Sequence, residues 1–273
     1  MAREQIDGKS ISVKLRSRNP IIEFDKLQMY FGEPYVINLD DCLGSLTVYQ
    51  PTIGDIVRIG EKIFYETLNI FITNTTANKL MLWENNLDWT ELSDYELFSS
   101  LLQGVNPEVG KLLFGDIDIT KFERFAKEKD GEQIITLYNR DSDVEINEQV
   151  YFHISQYLRN VFNMFPEEKM TKSPTLKEWY IEADKRQIEN DKIKKNKDAS
   201  HSIRSLISAY VNHPGTKYRL KDLKEVGVCE FYDSIQRLQI YESTTACLKG
   251  MYSGFVDSKG LKAEDYDFMK DIN

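Results

Sequence analysis

The sequence predicts an α+β fold that is predominantly α-helical, with a small N-terminal β element and an inserted β-hairpin. Three observations predict it. Several long stretches carry apolar residues at helical spacing, and the segment from Ile21 to Gln50 is rich in β-branched and aromatic residues. Between Asp116 and Asp143, an apolar run lies between two polar turns. We therefore expect mostly helices, with two small β regions.

The composition is that of a folded protein with an acidic surface. Of the 273 residues, 41% are apolar and 29% are charged, which leaves enough apolar surface to offset the entropy of ordering. The formal net charge is -9, so we expect neither nucleic acid nor an anionic membrane as a partner. There is no signal-peptide pattern or membrane-length apolar run, and Cys42, Cys229 and Cys247 lie far apart, which together indicate a cytosolic protein.

The N-terminal part is predicted to contain an arm, a small sheet and a long helix. Residues 1–20 alternate basic and polar types, which is typical of an arm that orders only against something else. The segment 21–50 predicts two or three short strands. From residue 52 to 73 one apolar face predicts a single helix, and Thr52 and Asp55 have capping-box spacing at its start.

Two shorter helices are predicted to pack on this helix. Ser93 and Glu96 repeat the cap signal, and Pro107 opens a second short helix that Gly115 ends. Residues 21–115 therefore form a small β element plus a helical core.

The rest of the chain is predicted as an insertion followed by a helical region. Residues 116–145 form a β-hairpin insertion around the apolar run Ile134–Tyr138, with KFERF as a candidate neighbouring segment. Residues 146–273 form a helical C-terminal region. Its expected helices run from Val150 to Phe165, from Ile203 to Val211, and from Val228 to Tyr252. A further helix begins at 174 and becomes highly charged toward 198, where it is either a solvated helix or an arm between helices.

The sequence contains no recognisable catalytic or cofactor motif. His153, His201 and His213 are too scattered for a metal site of the HExxH type. We therefore predict a protein that is not an enzyme and has no cofactor or metal. A metal-dependent enzyme stays as a less favoured alternative, since four aspartates could supply oxygen ligands: Asp116, Asp118, Asp141 and Asp143.

Four aromatic side chains fall outside the core spacing of the helices. Trp83 and Trp89 lie beside Asn- and Asp-rich segments, and Tyr252 and Phe255 lie in the Gly/Ser-rich stretch GMYSGFVDSKGL. Aromatic residues held on turns often anchor protein interfaces, but they also close over a protein's own core. These four residues are the candidate partner contacts, and both interpretations stay open.

Three stretches together resemble a known family. The stretch from Gln50 to Ile70 resembles the opening of a helix in assembly proteins of tailed phages that infect Gram-positive bacteria. The stretch from Glu230 to Leu261 is similar to the C-terminal helix of these proteins, which ends in a G-x-Y-S-G turn. Residues from Gln133 to Arg159 are similar to their hairpin and following helix. The family comprises tail assembly chaperones and related tail and baseplate proteins.

The resemblance implies a non-catalytic protein that binds the tape-measure protein, the tail tip or the baseplate during assembly in the host cytoplasm. Amphipathic helices with broad apolar faces suit the covering of a helical client. The alternative is a structural tail or baseplate subunit that stays in the virion. The basic arm and the charged helix from Glu182 to Asp198 lie outside the resemblance, and such segments suit a chain that threads between subunits. The oligomeric state and the client are left open.

Overall fold

The structure is a computed structural model that describes residues 22–40, 42–129, 132–194, 202–255 and 260–272. Helices account for 55% of it and strands for 10%, which confirms the predicted helix-rich α+β class. The predicted arm, residues 1–20, and residues 195–198 of the predicted charged helix lie outside the described residues.

The helices and strands of the described residues are numbered separately, each in chain order. The order is α1 (Lys26–Tyr30), β1 (Tyr35–Ile37), β2 (Leu46–Val48), α2 (Ile53–Ile59), α3 (Glu61–Ile72), α4 (Lys79–Glu84), α5 (Asp94–Leu101), α6 (Pro107–Phe114), β3 (Glu123–Lys129), β4 (Glu132–Asn139), β5 (Val144–Ile146), α7 (Glu148–Phe162), α8 (Pro174–Lys194), α9 (Ile203–Asn212) and α10 (Val228–Tyr252). Short 3-10 turns occur at Leu102–Gly104, Ile119–Lys121, Asp222–Lys224 and Ala263–Asp265.

The N-terminal β element is a two-stranded antiparallel sheet in which Val36 of β1 lies opposite Thr47 of β2. Two of the expected strands are therefore present. The sequence did not predict α1, which begins where the Asp25 carboxylate accepts hydrogen bonds from the backbone N–H groups of Leu27 and Gln28. A helix of five residues is too short to show helical periodicity.

The single helix predicted over residues 52–73 is two helices that meet at Gly60. This glycine has a φ of 103°, which is outside the helical range and therefore ends α2. Residues with a side chain rarely adopt this conformation, so glycine suits the position. The capping box is confirmed, since the Asp55 N–H donates to Thr52 Oγ1 and the Thr52 N–H donates to Asp55 Oδ2. The apolar pattern continues across the break because both helices bury that face in one core. Its buried members are Ile53, Ile56, Phe64, Leu68 and Phe71.

The other predicted caps are also confirmed. Ser93 and Glu96 form a capping box at α5, and Pro107 occupies the first turn of α6 behind the Asn106 cap. Helix α6 ends at Gly115, whose φ is 63°. Helix α7 ends earlier than predicted, because Asn163 takes the left-handed conformation and leaves Phe165 beyond the helix.

The predicted hairpin insertion is a three-stranded antiparallel sheet in the order β3-β4-β5. The KFERF segment does lie beside the apolar run, with Phe125 opposite Thr136. The sequence did not predict β5, a strand of three residues that are all buried. One of them is Glu145, whose carboxylate accepts hydrogen bonds from Thr136 Oγ1 at 2.9 Å and Lys127 Nζ at 3.1 Å. These partners offset the cost of burying its charge.

The main core joins helices from distant parts of the chain. The ring of Phe64 in α3 lies 5.7 Å from that of Phe162 in α7, and Phe98 in α5 stacks on Tyr151 in α7 at 4.5 Å. Phe231 of α10 is fully buried in the same core. A second cluster holds α4, α5 and α8 together through Leu82, Trp89, Leu97 and Ile181.

A buried arginine connects α7 to the end of α3. Arg159 is 6% exposed, and its Nε and Nη2 donate to the carbonyl oxygens of Ile72 and Thr73 at 2.8 and 3.0 Å. The last carbonyls of a helix have no partner within it, so this guanidinium supplies a donor to the Ile72 carbonyl and the shorter of two donors to the Thr73 carbonyl, which also accepts from the Tyr151 hydroxyl at 3.4 Å. The two helices are thereby held at one relative position.

Residues before α10 pack against the start of α2. The Ile53 N–H donates to the Val226 carbonyl, and the Val228 N–H donates to the Pro51 carbonyl. Gly54 permits this approach, because a Cβ there would lie 2.4 Å from the Lys224 carbonyl oxygen.

None of the helices in the described ranges is long and apolar enough to cross a membrane.

We expect Gly54→Ala to lower the free energy of unfolding by about 1–3 kcal/mol, the usual cost of overpacking. The clash is with the backbone of Lys224, which cannot swing aside as a side chain could. Gly104→Ala is the matched control, because its Cβ meets nothing nearer than Ile70 Cδ1 at 3.5 Å. Urea denaturation followed by circular dichroism measures both, and equal midpoints would contradict the prediction.

We expect Arg159→Met to lower the free energy of unfolding by at least about 1–3 kcal/mol, since the buried Ile72 carbonyl loses its donor and the Thr73 carbonyl keeps only the longer bond from the Tyr151 hydroxyl. The same denaturation experiment measures the loss. Arg186→Met serves as the control: its side chain is 75% exposed and it pairs only with Glu182 one turn away. Such an exposed pair contributes less than about 1 kcal/mol. Similar losses for the two variants would show that Arg159 does not hold the core.

Candidate functional site

Helix α10 carries the candidate site at its far end. Its first turn is in the core, where Val228 and Phe231 are fully buried. Its middle is braced by two other segments, through a contact of 3.2 Å between His213 Nε2 and a Glu242 carboxylate oxygen and through an edge-to-face contact between Tyr241 and Phe268. A helix of 25 residues spans about 37 Å, so its last turn lies far from the buried first turn.

The GMYSGF stretch is the C-terminal cap of α10. Gly254 has a φ of 74° and its N–H donates to the Met251 carbonyl, while the Phe255 N–H donates to the Gly250 carbonyl. These two bonds form a Schellman motif, in which a left-handed glycine closes the last turn. The Ser253 hydroxyl donates to the Lys249 carbonyl as well. The backbone around the two aromatic residues is therefore held by hydrogen bonds.

Tyr252 and Phe255 lie on the surface. They are 88% and 91% exposed, the highest values among the large apolar side chains of the described residues. The sequence left open whether they close over the core, and this exposure shows that they do not. Two adjacent exposed aromatic side chains on an ordered turn form the type of surface that protein partners bury.

Trp89 is a core residue, so its prediction as a partner contact was wrong. Its side chain is 0% exposed, and its indole Nε1 donates to the Lys169 carbonyl at 3.1 Å. Trp83 packs edge-on against it with ring centroids 5.9 Å apart and is 36% exposed. The segment after α4 is a turn, as its polar residues indicate, but Trp89 within it is covered by residues distant in sequence, among them Ile181 on α8.

The four aspartates of the metal alternative are not assembled into a site. The Asp141 carboxylate pairs with Lys121 at 2.6 Å, and the Asp143 carboxylate accepts from the Tyr138 hydroxyl at 2.6 Å. Asp118 accepts from the Thr120 hydroxyl, and this bond lowers the pKa of the Asp118 carboxyl. Across the described ranges no three His, Cys, Asp or Glu side chains come together in a way that could hold a metal ion.

His153 has a structural environment. Its Nδ1 lies 2.7 Å from the Tyr35 hydroxyl and its ring stacks on the Tyr35 ring, while partial burial lowers the pKa of the imidazole. A pKa below its usual range leaves His153 neutral at neutral pH. This histidine links α7 to β1 rather than facing an open site.

A segment that the sequence analysis did not single out lies beside α10. Arg237 Nη1 donates to the carbonyl oxygens of Phe268 and Lys270 at 2.7 and 2.8 Å. Phe268 and Met269 in this segment are themselves exposed. The segment contains a single 3-10 turn at Ala263–Asp265, so no periodic pattern marks it in the sequence.

Residues 194–273 match the model of a family described as the YomV second domain, which is phage-derived. The match covers less than a third of the chain and includes α9, α10 and the Tyr252/Phe255 turn. No curated protein matches the chain, and no solved structure does. The finding connects this region with phage proteins without specifying a role in tail assembly.

We expect the double variant Tyr252→Ser, Phe255→Ser to unfold within about 0.5 kcal/mol of the unmodified protein, as surface substitutions usually do. Phe231→Ala, at a fully buried position of the same helix, should cost about 3–5 kcal/mol. Urea denaturation monitored by tryptophan fluorescence measures both. A large loss in the double variant would mean that the two rings stabilise the fold.

Proposed function

We propose that this protein is a non-catalytic phage tail assembly protein that binds a tape-measure or tail-tip protein through the end of α10. One observation carries the proposal. Two ordered, almost fully exposed aromatic side chains, Tyr252 and Phe255, lie within the region that matches a phage-derived family. The tail-protein resemblance of the stretch from Glu230 to Leu261 supports the choice of partner.

The aromatic turn has the properties of an interface anchor. Burying a large apolar side chain contributes about 1.5–3 kcal/mol, so Tyr252 and Phe255 together can supply a substantial part of a binding free energy. Tyr and Trp are enriched among the residues that dominate interfaces. Because the Schellman bonds already hold the backbone, little conformational entropy is lost when a partner binds.

The charge of the segment beside α10 and of the whole chain indicates the chemistry of the partner. Glu264, Asp265, Asp267 and Asp271 outnumber Lys262 and Lys270 in the segment beside α10, and the whole chain has a net charge of -9. Opposite charges at the rim of an interface speed association and select partners. The client segment is therefore an amphipathic helix with apolar residues flanked by Lys or Arg, as in helix-in-groove recognition.

A structural tail or baseplate subunit is the second candidate function. Exposed apolar side chains occur on several separate elements, among them Phe31 after α1, Trp179 on α8 and Leu220 before α10. A subunit that stays in the virion contacts several neighbours, whereas a chaperone needs one client surface. This dispersion is the observation that favours the structural role.

Quantitative mass spectrometry of purified virions and infected-cell lysate separates the two roles. A chaperone is abundant in lysate and absent from particles, because it leaves when assembly ends. A fixed copy number per particle, relative to the major tail protein, would replace the chaperone proposal with the structural one.

We expect Tyr252→Ser, Phe255→Ser to abolish co-purification of the tape-measure or tail-tip protein and to reduce tailed particles at least about tenfold, because the anchor is lost. The measurements are affinity purification from co-expressing cells and particle counts after infection with the variant phage. Phe125→Ser is the matched control, since Phe125 is an exposed aromatic residue on β3, far along the chain. Unchanged co-purification in the double variant would overturn the assignment of this site.

A further inference from the structure

A groove of about 590 Å³ lies between α1, the end of α7 and the first half of α10. Its lining is largely apolar and includes Phe24, Met29, Val161, Phe165, Tyr232 and Ile272. Glu23 and Asp233 add two carboxylates to the same lining, and Lys26 adds one ammonium group. Burial raises the pKa of the Asp233 carboxyl, as expected for an acid beside apolar side chains. The groove therefore combines an apolar floor with acidic groups.

The chain's own residues 266–272 lie at the edge of this groove. Ile272 lines it, and the turn before Ile272 is held to α10 by the two hydrogen bonds from Arg237 Nη1 to the Phe268 and Lys270 carbonyls. The Phe268 ring meets Tyr241 edge-on, with centroids 6.4 Å apart. Among the described residues, the contacts of this segment include one guanidinium, one ring pair and one aliphatic side chain.

This attachment is weak compared with the packing of the core. Side chains from Lys262 to Met269 are exposed, and Met269 reaches 73%. Segments with few buried apolar contacts open locally at much lower free energy than the whole protein unfolds. Residues 266–272 can therefore leave α10 while the helical core stays folded.

We propose that this groove is a docking site for an apolar peptide segment, and that residues 266–272 are a built-in cover at its edge, which a partner segment displaces. The cover indicates what the site accepts: an aliphatic side chain where Ile272 lies in the groove, and main-chain carbonyls that reach Arg237 on the adjoining part of α10. The carboxylates of Glu23 and Asp233 outnumber the single ammonium of Lys26 in the lining, which favours a partner segment that also carries Lys or Arg. The inference is independent of the proposed function, because the groove does not include Tyr252 or Phe255.

Peptide binding in trans tests the proposal. The probe is a fluorescein-labelled peptide with the sequence of residues 260–272, GLKAEDYDFMKDI. The variant Phe268→Ser, Ile272→Ser loses the apolar side chains of the built-in cover but keeps Arg237 and the groove. We expect it to bind the peptide at least about tenfold more tightly than the unmodified protein, in which the chain's own segment already takes up the contacts with Ile272, Tyr241 and Arg237. Absence of binding to this variant overturns the proposal.

Two matched controls make the peptide result specific. A peptide with serine at the positions of Phe268 and Ile272 should not bind, because it lacks the apolar side chains. Adding Arg237→Met to the released variant should weaken binding of the original peptide at least about tenfold, since a charged donor to two carbonyls is lost. Equal binding of both peptides would mean that the groove does not recognise this segment.

The rate at which the Cys229 thiol reacts measures how accessible the groove is. Cys229 lines the groove, and burial raises its pKa to about 11. In a Cys42→Ala, Cys247→Ala background, Arg237→Met should speed maleimide modification of Cys229 at least about tenfold, because the cover opens more often. Arg186→Met, on α8, should leave the rate unchanged. An unchanged rate in Arg237→Met would contradict the displaceable cover. If Arg237→Met also lowers the free energy of unfolding of the whole protein, the peptide-binding measurement decides whether the cover is displaceable.

Discussion

The contact on which the rest of the structure depends is the buried guanidinium of Arg159 at the end of α3. It donates to the carbonyls of Ile72 and Thr73, so a helix end is buried without unsatisfied acceptors. The residues that follow continue this polar junction. Asn74 Nδ2 donates to the Glu167 carbonyl, and the Thr75 N–H donates to Asp94 Oδ1. Buried polar groups need hydrogen-bond partners, so these contacts hold α3, α5, α7 and the segment after α7 in position relative to one another.

That arrangement determines where α10 can lie. Helix α7 packs against α3 on one side and contacts the first half of α10 on another, and Phe231 completes the core they share. Backbone hydrogen bonds from Ile53 and Val228 attach the start of α10 to α2, and Gly54 provides the space for that approach. With its first turn fixed in this way, a long helix carries its other end to the surface. The position of Tyr252 and Phe255 thus follows from packing about 37 Å away, the length of the helix.

Helix α10 therefore has two chemically distinct surfaces. Near its start, Cys229 and Asp233 face an apolar groove that the chain's own Ile272 lines. At its end, a Schellman motif presents two aromatic rings to solvent. Arg237 lies between them and holds the covering segment in place. Because one helix of 25 residues connects both surfaces, a partner that binds at both makes its second contact intramolecularly, which raises its overall affinity.

The sequence by itself determined the helix-rich class, most helix starts and the end of α10, because caps and glycines act on the nearest turn. The Thr52/Asp55 and Ser93/Glu96 boxes and the Gly254 turn are visible as local patterns for that reason. Only the tertiary structure decided which aromatic residues are exposed. Trp89 and Phe255 both lie in polar stretches, yet α8 covers Trp89 while Phe255 is left uncovered in the described structure. The strand β5, the Arg159 junction and the groove beside Arg237 also arise from residues far apart in the chain, and such contacts leave no periodic signal in the sequence.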